Sequence, residues 1–112
     1  MKISNNFNRF YHSQIKELFQ KIPSKLKIEG IGTIYIKGMT FYAFKQMLKL
    51  INLDYPRDDT GHPLSTRDIS NKELVQHIEF IFKLAAQNGV EMNIIKQEWE
   101  LLLRRANEPL HI

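Results

Sequence analysis

Ile69-Ser70-Asn71-Lys72-Glu73-Leu74, continuing as Val75-Gln76-His77-Ile78-Glu79-Phe80-Ile81-Phe82-Lys83-Leu84-Ala85-Ala86-Gln87-Asn88-Gly89, decides the fold. Ser70 and Glu73 have the spacing of a capping box. The hydroxyl takes the third amide of a helix and the carboxylate reaches back to the cap amide. Ile69 and Leu74 occupy the positions of a hydrophobic staple across that cap. Leu74, Ile78, Ile81 and Ala85 then recur at three- and four-residue steps, with Val75 and Phe82 beside them, so one face of the helix is apolar. Gly89, after Asn88, supplies a left-handed stop. A helix with one apolar face needs other elements to cover it, and four further segments can do so.

Residues 5–22 carry Phe7, Phe10, Tyr11, Leu18 and Ile22 at helical spacing, with Ile15 and Phe19 adjacent, and Pro23 ends the run. Residues 40–53 repeat the pattern through Phe41, Phe44, Leu48 and Ile51, widened by Met47 and Leu50. Residues 93–106 place Ile95, Trp99 and Leu102 on one inner face. Glu98 and Glu100 stand early in that segment and Arg104 and Arg105 late, which suits the helix dipole. Glu100 and Arg104 are a favourable four-spaced pair, and Pro109 ends the order. Between the first two helices, Leu26-Lys27-Ile28-Glu29 and Thr33-Ile34-Tyr35-Ile36-Lys37 flank Gly30-Ile31-Gly32, the pattern of a β-hairpin. Two strands alone are marginal in water, so Leu26, Ile28, Ile34 and Ile36 should face a helix. Asp54–Leu64, with two prolines, a glycine and three aspartates, is a loop. The expected fold is mainly α, about four helices with one short β-hairpin near residues 26–37, in a single domain spanning residues 1–112.

The charge is divided unevenly. Residues 1–50 hold nine Lys/Arg against two acids, and residues 51–112 hold seven against ten. A basic half of this kind attracts an anionic partner. Cysteine is absent, which excludes disulfides, Cys-based zinc sites and thiol nucleophiles. The first ten residues lack the apolar run of a signal peptide, and no stretch approaches the roughly 20 apolar residues of a membrane span. A cytoplasmic protein without membrane contact is expected.

Lys21, Lys25, Lys27, Lys37, Lys45 and Lys49 fall between the end of the first helix and the middle of the second. Their expected role is a phosphate-binding strip, with Tyr35 as a stacking platform for a base. Lys45 and Lys49 repel each other at four-residue spacing with no acid on the same helix to offset them, a hint of an external anion. Asp54, Asp58, Asp59 and His62 are metal-ligand types, but their spacing matches no loop that gathers four to six donors, and no metal or cofactor is expected. His12, His62, His77 and His111 are dispersed, with His77 expected at the boundary of the core, and Trp99 reads as a core residue. Leu84–Val90 with Ile95 has the spacing of a helix-turn-helix, but the second helix is too apolar to read base edges, so a helical hairpin is expected there.

Ser65-Thr66-Arg67, Ser70-x-x-Glu73-Leu74, Ile78-Glu79-Phe80-Ile81 and Gly89-Val90 together resemble the C-terminal helical part of the phage Orf/NinB recombination-mediator family, over residues 65–92. That resemblance implies a phage accessory protein that binds single-stranded DNA or a host single-strand-binding protein. It carries over no catalytic residue. The expected function is therefore a small non-enzymatic phage- or plasmid-type accessory protein binding nucleic acid, single-stranded DNA first, through Lys21, Lys25, Lys27, Tyr35, Lys37, Lys45 and Lys49, with the C-terminal hairpin as core or homodimer face. About four phosphate contacts to a single strand give a slope of log K against log salt near −3. The alternative is an inhibitor of immunity or anti-defence type whose lysines meet an acidic protein surface.

Overall fold

The computed structural model describes residues 5–108. Pro109 and His111, named above, lie outside them. In chain order the elements are α1 (Asn5–Lys21), β1 (Lys25–Ile28), β2 (Gly32–Tyr35), α2 (Phe41–Ile51), a 3₁₀ turn (Thr66–Asp68), α3 (Asn71–Gln87) and α4 (Lys96–Ala106). The fold is mainly α with one antiparallel hairpin, as the periodicity predicts. α1 lies against α2, α3 and α4, and α3 also meets α4 and β1.

The ends of α3 form as the sequence dictates. Ser70 Oγ accepts from Glu73 N–H at 3.1 Å, and Glu73 Oε1 accepts from Ser70 N–H at 2.9 Å. Ile69 and Leu74 are both fully buried. At the other end Gly89 adopts φ +70°, Gly89 N–H reaches Ala86 O and Val90 N–H reaches Ala85 O, a complete Schellman stop. The apolar stripe of α3 joins Tyr11, Ile15 and Leu18 of α1, Phe44 and Leu48 of α2, and Leu102 of α4 in one core. Trp99 stacks on Phe10 at 5.9 Å and meets Phe82 edge-on at 5.2 Å, so it bridges α4 to α1 and α3.

The hairpin is held by its inner face and by one edge. Leu26 and Ile28 are buried, while Lys25 and Lys27 face out. Asn88, just past α3, completes the edge of β1. Its Oδ1 accepts from Lys27 N–H at 2.8 Å and its Nδ2 donates to Lys27 O at 2.9 Å. One carboxamide thus replaces a neighbouring strand at this residue and blunts an otherwise unpaired edge.

Four local expectations change. The last helix begins at Lys96, not near Asn93, although Ile95 at its N-cap makes no side-chain capping bond. Asn93 N–H instead donates to Glu17 on α1 at 2.7 Å, and Ile95, expected on the inner face, is 55 % exposed. Glu100 lies 3.9 Å from Lys96, its preceding turn, rather than pairing with Arg104. His77, expected at the core boundary, is fully buried.

Candidate anion pocket

The lysines expected to share one strip do different things. Lys25 and Tyr35 are cross-strand partners on the outer face of the hairpin, with the Lys25 ammonium 5.4 Å from the Tyr35 ring centre. Lys27 stands on the same face, and Lys37 is exposed beyond β2. Lys21 is engaged within the protein. Its Nζ donates to Glu17 Oε2 at 2.7 Å and to Glu91 O at 2.9 Å, tying α1 to the segment before α4. Lys21 is thus paired within the protein while its side chain stays 40 % exposed.

Lys45 and Lys49 are brought instead into a pocket between α1, α2 and the segment entering the 3₁₀ turn. The pocket holds about 490 Å³, and among its lining residues are His12 of α1, Tyr42, Lys45 and Lys49 of α2, and Thr66 and Arg67 of the turn. Among the described residues no Asp or Glu lines it. Lys49 is 5 % exposed. Among the described residues it has no carboxylate within ion-pair distance. Its ammonium reaches only Leu64 O, at a long 3.4 Å, and the Tyr55 ring at 5.4 Å. Burial first, then Lys45, pushes its pKa below the usual lysine range. A buried cation held by one weak acceptor is a costly arrangement unless something else completes it.

The loop that closes the pocket is rigidly tied. Arg57 Nη2 donates to Leu50 O at 2.9 Å and to Lys49 O at 3.4 Å, covering carbonyls left open at the end of α2. Tyr55 donates its hydroxyl to Leu64 O at 2.7 Å. Asp58 accepts from Thr60 Oγ1 (2.7 Å), Thr60 N–H and His62 N–H. Thr60 first, then His62, hold its carboxyl below the usual range. Asp58 therefore serves its own turn, and among the described residues no three His, Asp or Glu side chains converge as a metal-ligand group.

Neutral polar groups line and adjoin the pocket. Thr66, 6 % exposed, donates its hydroxyl to Asn8 Oδ1 at 3.1 Å. The Asn52 carboxamide nitrogen lies 2.9 Å from His77 Nδ1, while Asn52 Oδ1 accepts from Asp54 N–H. This places the His77 proton on Nε2, a buried atom with no hydrogen-bond partner. Burial, then Lys49, pushes His77 down to about 3. Tyr11 also lines the pocket and is fully buried, and among the described residues its hydroxyl has no hydrogen-bond partner. His12 is held below its ordinary value by burial, then by Lys45 and Lys49.

The pocket residues missed by periodicity alone are Tyr11, His12, Tyr42, Thr66 and Arg67. Tyr11 counts as core by spacing, and Arg67 is separated from Lys49 by a loop whose path no local pattern encodes. The available signal was the unoffset Lys45 and Lys49 pair. No family model, curated protein or solved structure matches the chain. Among the described residues no helix is long and apolar enough to cross a membrane.

Proposed function

We propose that this is a non-enzymatic nucleic-acid-binding protein, with single-stranded DNA its first substrate, and that binding centres on the pocket rather than on the hairpin. The observation that carries the reading is Lys49, a buried ammonium without a carboxylate partner, beside Lys45 and Arg67 in a pocket that no acid lines. Tyr42 at the same pocket is 66 % exposed, so a base can stack on it while its phosphate enters. Lys25, Lys27, Tyr35 and Lys37 form a second, solvated contact zone. The phage- or plasmid-type accessory role implied by residues 65–92 belongs to this same proposal.

Salt dependence tests it. Three cationic pocket groups give a slope of log K against log salt of about −2 for a single strand, and engagement of the hairpin lysines steepens it beyond −3. An oligonucleotide affinity that ignores salt would exclude phosphate recognition. A second reading, binding to an acidic protein surface, draws on Leu50 and Leu53, which are 52 % and 82 % exposed at the end of α2. A stoichiometric protein partner retained after nuclease treatment of a lysate would favour it.

A further inference from the structure

We propose that the pocket between α1, α2 and the 65–67 turn is a site for a phosphomonoester, the terminal phosphate of a nucleic-acid strand or of a free nucleotide. The inference rests on the nucleic-acid reading and narrows it from backbone contact to recognition of an end.

Charge gives the first reason. An internal phosphodiester carries one negative charge, whereas a phosphomonoester carries about −1.5 to −2 at neutral pH, with three exposed acceptor oxygens. Lys45, Lys49 and Arg67 bring three positive groups to one pocket with no lining carboxylate. That supply exceeds what one diester needs and suits a near-dianion.

Depth gives the second. Lys49 is 5 % exposed, so an anion must enter the pocket to reach its ammonium. An internal phosphate would have to bring the sugars on both sides with it. A terminal phosphate enters alone and leaves its single ester arm directed outwards. The volume of about 490 Å³ exceeds that of a phosphate and leaves room for the attached sugar, with the exposed Tyr42 placed to meet the base.

The unused donors give the third. The Tyr11 hydroxyl is buried and unpartnered although the residue lines the pocket. A buried hydroxyl without a partner is costly in a folded protein, so the Tyr11 hydroxyl would gain from a ligand acceptor brought against it. Burial, then Tyr55, raises the Tyr11 pKa, so the hydroxyl keeps its proton and can donate. Asn8 has its oxygen committed to Thr66, which leaves its NH₂ group as a further donor.

The test compares a short oligothymidylate bearing a 5′-phosphate with its 5′-hydroxyl twin and with a 5′-nucleoside monophosphate, titrated by calorimetry at moderate salt. The phosphorylated strand is expected to bind about tenfold or more tightly than its twin, the scale of charge-assisted hydrogen bonds gained. Lys49→Met and Tyr11→Phe should each erase most of that preference. Tyr11→Phe removes one oxygen from a buried ring, so the fold is retained and the readout is binding alone. Equal affinity of the two strands overturns the end-recognition inference and leaves the nucleic-acid reading standing. Binding of the nucleoside monophosphate without either strand supports the pocket and assigns it to free nucleotides, ending the strand reading. Absence of binding by all three probes overturns both.

Discussion

On the hairpin, Lys25 and Lys27 lie in solvent beside Tyr35; in the pocket, Lys45 and Lys49 lie near Tyr42 with Lys49 almost withdrawn from water. The two groups have the same residue types and arise from the same basic half of the chain. They differ in what the fold does with their charge. A solvated ammonium is already satisfied by water and gains little from a phosphate once salt is present. The Lys49 ammonium, with one long contact to a carbonyl and the Tyr55 ring beside it, has given up most of its exposure to water for a small return within the protein. Only the second is organised in advance for an anion, and the contrast predicts where binding energy resides.

The sharpest way to break that contrast is Lys49→Met. Methionine matches the length of the stem without the charge. Oligonucleotide affinity is expected to fall about tenfold to a hundredfold, because the charge-assisted contacts of the pocket lose their deepest donor. Stability should move the opposite way and rise by roughly 1 kcal/mol, since a desolvated cation is replaced by an apolar group. Calorimetric titration and urea unfolding of the same variant check both signs. A variant that loses stability together with binding would mean that Lys49 is a structural residue.

His77 sharpens the comparison from beneath the pocket. Its pKa falls from 6.5 to about 3 in the folded protein, from burial first and then Lys49. Between these values the unfolded chain binds a proton that the folded chain refuses, so stability is full above pH 6.5 and declines as pH falls. By about pH 5 the loss should reach about 2 kcal/mol. Urea unfolding across that range measures it, and His77→Gln should flatten most of the slope. An unchanged slope in that variant would place the acid sensitivity elsewhere, with His12 the next candidate because its pKa is also lowered.

The element that carries the hairpin group can be loosened without touching the pocket. Asn88 holds both backbone groups of Lys27 through one side chain. Asn88→Ala should cost about 1 kcal/mol, the net worth of such hydrogen bonds where water can partly replace them. Hydrogen exchange should speed up at Lys27 and its strand neighbours. Affinity for the 5′-phosphorylated strand should hardly change, since neither α1, α2 nor the 65–67 turn depends on Asn88.

These differences explain what could be read in the sequence and what could not. The helices, the hairpin and both ends of α3 are encoded by residues near one another, as Ser70 with Glu73 and Asn88 with Gly89 illustrate, and local spacing suffices to find them. Lys45 and Lys49 are visible as a repelling pair for the same reason. The pocket is not local. Arg67 and Thr66 come to line one pocket with Lys49 because the loop between them follows a path set by Arg57, Tyr55 and Asp58. The contact between Lys21 and Glu91 spans 70 residues, so charge counting has no means to foresee it. His77 sits beside the apolar stripe in sequence, and its burial follows from the Asn52 amide that accommodates its ring nitrogen, a partner 25 residues away.

The smallest expected effect belongs to the hairpin lysines themselves. Replacing Lys25 and Lys27 together by Gln removes two positive charges but leaves every backbone hydrogen bond of the hairpin in place. Exposed pairs of this kind contribute a few tenths of a kcal/mol each, so affinity should fall by about threefold or less at physiological salt. The salt slope is the more telling readout. If these lysines touch phosphate in the complex, removing both should reduce its magnitude by about 1.4, whatever the change in affinity. A slope near −2 that does not respond to the substitution would confine the strand to the pocket. A response equal to that of Lys49→Met in affinity would erase the distinction between buried and solvated lysines, and with it the reason for centring recognition on α2.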